Sequence, residues 1–79
     1  MPFYFFTWSD EIERHIALHG VTPDEFAEVV CDPEDVGQSR SSDRIIAFGE
    51  TSTGKYLACV YELHDNATVL PVTAYEVEA

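Results

Sequence analysis

Few residues in this chain can do chemistry. His15 and His19 stand four apart, a spacing that could place two imidazoles on one helical face around a metal ion. No third ligand is placed by the sequence, and two ligands rarely suffice, so no metal and no cofactor are expected. His19 could act as a general acid or base. Its plain alternative is a helix C-terminal residue that the dipole stabilises when charged. Arg44 could stabilise developing negative charge. Its alternative is a strand-edge salt bridge to one of many acids. Tyr75 could move a proton or serve as a stacking platform. A tyrosine late in a strand otherwise simply packs. Asp32, Glu34 and Asp35 lack the spacing of a calcium loop and read as a solvated acidic loop. Ser39 to Ser42, with Arg40, could bind a phosphate; a polar loop is the default.

The elements that position these residues follow from local signals. Ser9 suits an N-cap, and Asp10 and Glu11 fall in the first turn, where the dipole favours acids. The first helix is expected from about Asp10 to His19, with Ile12, His15, Ile16 and His19 on one face and an Asp10–Arg14 pair on another. Gly20 is a natural C′ residue, because glycine takes the left-handed conformation without a Cβ penalty. Thr22, Pro23 and Glu25 then supply a cap, an N1 proline and a capping box for a second helix from about Pro23 to Cys31. Phe26, Val29 and Val30 form its apolar stripe, and Asp24, Glu25 and Glu28 are expected to face water. Asp32-Pro33 stops it.

The remainder reads as β-structure. Phe3 to Phe6 suits a short strand. Residues 34 to 43 read as a polar loop. Arg44 to Glu50, Lys55 to Leu63 and Ala67 to Val77 read as strands joined by turns at Thr51–Gly54 and His64–Asn66. Pro71 removes a ladder donor and needs an edge or a bulge. The order predicts a single α+β domain over residues 1–79. It has a short N-terminal strand, two helices and an antiparallel β-meander.

Composition bounds the partners. The chain has 79 residues, with 15 acids against 4 Lys and Arg, a formal net charge of −11. Such a chain repels nucleic acid and anionic membrane at long range and attracts a basic partner. No run reaches the ~18 apolar residues of a membrane span. Cys31 and Cys59 have apolar flanks and no CxxC spacing, so both read as buried free thiols in a reducing compartment. With no recognisable signal peptide, a cytoplasmic location is expected. The N-terminal aromatic strand and the Pro71 strand are the expected sheet edges. Exposed edges invite pairing, so a homodimer is expected.

The same residues carry a family resemblance. Trp8-Ser9-Asp10, His19-Gly20-Val21-Thr22, Phe26-Ala27-Glu28-Val29 and Asp32-Pro33 resemble the first half of the BrnT toxins. Arg44, Gly49-Glu50-Thr51, Gly54-Lys55-Tyr56-Leu57 and Val72-Thr73-Ala74 resemble the second half. The resemblance implies a fold like that of the RelE-like small ribonucleases. It also implies a toxin–antitoxin setting, in which the toxin cuts RNA and a cognate antitoxin covers it. His19 and Arg44 are the matched polar positions. Leu18 stands where the family usually has a basic residue, and Tyr75 stands where its last strand usually has arginine. RNA cleavage needs a base, an acid and cations for the phosphorane. His19, Arg44 and Tyr75 are therefore the candidate catalytic residues. Charge and the lost basic positions point instead to a non-catalytic or weakly active relative. In that reading the chain is an acidic module for a protein partner, either a cognate antitoxin or a basic protein. The alternative is a toxin that cleaves RNA.

Overall fold

The computed structural model describes residues 4–38, 44–65 and 67–77. Its elements run β1 (Phe5–Phe6), α1 (Asp10–Ala17), α2 (Pro23–Cys31), β2 (Asp35–Gln38), β3 (Arg44–Glu50), β4 (Tyr56–His64) and β5 (Thr68–Glu76). The five strands form one sheet in the order β1-β5-β4-β3-β2. β2 through β5 pair antiparallel, as a meander must with short connections. β1 pairs parallel with β5, so the sheet is mixed. The fold is α+β, with the helices on one sheet face.

The two helices begin where the caps place them. Ser9 Oγ accepts from the Ile12 N–H at 3.3 Å. Thr22 Oγ1 accepts from the Glu25 N–H at 3.2 Å, and Glu25 Oε1 accepts from the Thr22 N–H at 3.1 Å, a complete capping box. α1 is one half-turn shorter than its periodicity predicts. It ends at Ala17, and Leu18 to Gly20 form a turn closed by His19 N–H to the Ile16 carbonyl at 3.0 Å. Gly20 takes φ +77°, the left-handed value that lets the chain reverse into α2. α2 keeps the expected bounds.

The core lies between the helices and one sheet face. Ile16, Phe26 and Val29 pack over Ala47, Leu57 and Cys59, with Trp8 edge-on to Phe26 at 5.2 Å. Gly49 lies under α2 and the chain that leaves it, at ordinary contact distance. A Cβ there would stand 3.4 Å from Val29 Cγ1 and 3.6 Å from the Glu34 nitrogen. α2 and the segment after it thus sit close against β3. The expected Asp10–Arg14 pair is not among the ion pairs of the described residues.

Three expectations change in three dimensions. The first half of the predicted 34–43 loop is a strand: β2 extends the sheet beyond β3, its Val36 opposite Ala47. Residues 39–43 of that predicted loop lie outside the described residues. The Pro71 strand is an edge only in part: β1 pairs β5 at Thr68 and Val69 alone, and from Leu70 on β5 pairs only with β4 among the described residues. Pro71 is accommodated at a register shift, where Val60 pairs Thr73 but Tyr61 pairs Pro71, and beyond the two-residue β1. Of the two cysteines, Cys59 is buried, with its thiol pushed up to about 12 by desolvation, whereas Cys31 is only partly buried.

Open space surrounds the position of a Cβ at Gly20. Gly20→Val should therefore destabilise through backbone strain alone, by about 1 kcal/mol or more. Chemical denaturation measures it; an unchanged midpoint would mean that the turn tolerates a β-branched residue.

Candidate functional site

The sheet register separates two of the predicted catalytic residues. Arg44 opens β3 opposite Glu62, and Tyr75 lies near the end of β5 opposite Ala58. Glu62 and Ala58 are both on β4, so the two residues share a sheet face. Their separation is about 13 Å along the strands and about 10 Å across them. His19 lies in the helix layer, in the turn after α1, and packs its ring edge-on to His15 at 5.3 Å. His15 is itself engaged: its Nε2 lies 2.9 Å from Thr73 Oγ1. The three predicted residues therefore do not form one constellation. Among the described residues no group of three or more His, Cys, Asp or Glu could hold a metal ion.

A dense polar cluster lies elsewhere, and it includes an acid expected to face water. Glu25 is only 8% exposed. Its position at N3 of α2 turns the carboxylate back toward the corner between the helices. There it meets the β3–β4 turn. Thr53 Oγ1 donates to Glu25 Oε2 at 2.8 Å, and Thr22 Oγ1 donates to Oε1 at 3.3 Å. Lys55 Nζ lies 3.3 Å from each carboxylate oxygen and donates to the Gly20 carbonyl at 2.8 Å. Glu28, one helical turn on, accepts from the Ser52 N–H at 2.6 Å. The hydroxyls are ordered in series. Thr53 gives its proton to Glu25, so Thr51 must donate to Thr53, 2.7 Å away. Thr51 Oγ1 then accepts from the Lys55 N–H at 3.1 Å.

Burial alone would raise the pKa of Glu25. The hydrogen bonds from Thr53, Thr22 and Lys55, with the Lys55 charge, outweigh it and hold the carboxyl below its ordinary value. A general base needs a free lone pair facing substrate and a pKa near the working pH. Glu25 has its oxygens committed and its pKa moved the other way. The cluster is therefore a structural lock between the helix corner and the hairpin. Every buried side-chain N or O among the described residues has a hydrogen-bond partner.

The sheet face away from the helices is different. Phe48, Ala58 and Tyr75 form one row across β3, β4 and β5. Ile46, Val60 and Thr73 form the next row, whose β5 end is met by His15 of α1 at the Thr73 hydroxyl, and Tyr56 flanks Ala58 along β4. Ala58 is fully buried yet lies outside the helix-side core cluster, while Tyr75 above it is 41% exposed. The face thus has an apolar centre that no described helix covers.

Sequence reasoning missed the inward Glu25. The capping box was visible, and its Glu side chain had to point back toward the N-cap. That Thr53 and Lys55 would complete the shell from a distant hairpin had no local signal. No family model, curated protein or solved structure matches this chain. No helix among the described residues is long and apolar enough to cross a membrane.

Glu25→Gln should destabilise the protein by about 1–3 kcal/mol at neutral pH, through lost charge-assisted bonds in a buried shell. The folded pKa is depressed, so this stability is present above the unfolded value near 4.5 and fades as pH falls through the folded pKa. Urea melts of parent and variant should differ by a constant amount from neutral pH down to about that unfolded value and converge below it. A difference that stayed constant to pH ~2.5 would contradict the assignment.

Proposed function

We propose that this chain is a BrnT-like but non-catalytic acidic module that binds a protein partner. The observation that carries the reading is the dispersal of His19, Arg44 and Tyr75 over two layers and two ends of the sheet. Acid–base catalysis of phosphate cleavage requires a proton donor, an acceptor and a cation within hydrogen-bond reach of one reacting group.

Charge supports the same reading. The net charge of −11 opposes the approach of an RNA polyanion. Lys55 is committed to Glu25 and the Gly20 carbonyl, Arg14 is on α1 and Arg44 opens β3. These cations form no shared cradle for a phosphate chain, and nucleic-acid affinity depends largely on such contacts. Leu18, where the resembling family is usually basic, is an exposed apolar side chain. A cognate antitoxin or another basic protein fits the acidic surface. The buried free thiol of Cys59 fits work in a reducing cytoplasm.

The resemblance to the BrnT toxins supports the competing reading, an RNA-cleaving toxin, and one experiment separates the two. Purified protein is incubated with a mixed RNA pool at low salt, beside His19→Ala and Arg44→Ala variants. No cleavage above the buffer control is expected from any of the three. Cleavage by the parent that both substitutions abolish would overturn the non-catalytic reading.

A further inference from the structure

The geometry points to the helix-free sheet face as the docking surface, and to a cationic amphipathic segment of another protein as its occupant. This inference rests on the reading of the chain as a protein-binding module and names where and what it binds.

Three observations carry it. The first is shape. Phe48, Ala58 and Tyr75 make a row in which a small residue lies between two aromatic rings, and Ile46, Tyr56 and Val60 extend the apolar surface around it. Directly opposed residues on neighbouring strands stand roughly 5 Å apart, so the six form one contiguous patch. Contiguous apolar patches on soluble domains mark interaction sites, and exposed aromatics are the usual anchors of such interfaces.

The second is charge. By register Asp35, Glu50 and Glu62 lie on this same face, around the apolar centre, against Arg44 opposite Glu62. A partner that places an apolar stripe on the patch brings its flanking side chains over these carboxylates. Lysine or arginine flanks are attracted there, and acidic flanks are repelled. The same charge opposes a second copy, since each copy carries −11.

The third is the state of the sheet edge next to the patch. The free edge of β2 is four residues long, and its Val36 N–H is taken by Asp35 Oδ1 at 2.9 Å. Asp35 thus occupies a donor that an added strand would need, which blunts edge pairing. Docking on the face needs none of these backbone groups.

The probe is a synthetic amphipathic helix of leucine and lysine, with a leucine–glutamate helix of the same pattern as control. Binding is followed by amide chemical shifts and titration on the parent, on Tyr75→Asp and Tyr75→Ser, and on Leu18→Asp. Leu18 is 85% exposed on the helix side, so its replacement adds the same charge away from the patch. The lysine helix should shift amides of β3, β4 and β5 around Ala58, and the glutamate helix should not bind. Tyr75→Asp should weaken binding by about tenfold, the scale of a lost aromatic anchor, although it adds negative charge. Tyr75→Ser should also weaken it, and Leu18→Asp should not. Shifts scattered over the acidic surface, with Tyr75→Asp binding no weaker than the parent, would overturn the docking site. Binding to neither helix would overturn it as well. A parent that sediments as a dimer and becomes a monomer on Tyr75→Asp would assign the face to a second copy instead. None of these failures bears on RNA cleavage, which tests the underlying reading separately.

Discussion

A carboxylate removed from water must be met by donors, and Glu25 is met from two directions at once. The Thr22 N–H and hydroxyl reach it from its own helix cap. Thr53 and Lys55 reach it from a hairpin about thirty residues further along the chain. An unpaired charge in that position would be strongly destabilising, so the helix corner and the β3–β4 turn must be placed together or not at all. That constraint fixes how the helix layer sits on the sheet. Lys55 extends it by donating to the Gly20 carbonyl at the corner between α1 and α2. Glu28 extends it in the other direction through the Ser52 N–H.

The lock has a consequence for function. It commits Lys55, one of the protein's four cationic side chains, and Glu25, the most buried acid among the described residues, to holding the fold. The polar groups of this cluster satisfy one another. Beyond the lock, the described surface has a helix side dominated by acids and a sheet side with an apolar centre. The two faces of the sheet divide the work. Leu57, Cys59 and Ala47 pack under the helices, and their neighbours in sequence, Ala58, Val60 and Phe48, point away from them. This alternation is the period-two rule of a strand, with a helix layer on one side only.

Much of the fold was legible because its signals are local. Ser9, Thr22, Pro23, Glu25 and Gly20 each act within a few residues, and each stands where its chemistry predicts. Pro71 signalled an edge or a bulge, since a missing N–H constrains any sheet, but not which of the two. Asp35 to Gln38 carry no β pattern, and β2 exists because β3 offers an edge next to the chain leaving α2. The shell of Glu25 was illegible on the hairpin side, because nothing in Thr53-Gly54-Lys55 marks a partner near residue 25. The spacing within the candidate site was not legible at all. His19, Arg44 and Tyr75 were chosen by type and resemblance, and neither fixes distance. Only the register shows that two of them share a sheet face yet lie at opposite ends of it.

The central claim is that Glu25 and Lys55 act together to hold the hairpin on the helix corner. A thermodynamic double-mutant cycle with Glu25→Gln, Lys55→Met and the pair, followed by urea denaturation, tests it most directly. The lock predicts a coupling energy above about 0.5 kcal/mol, because each substitution removes the other's partner. Strictly additive effects, within the ~0.3 kcal/mol expected of independent sites, would show that the two side chains stabilise the protein separately and would contradict the account.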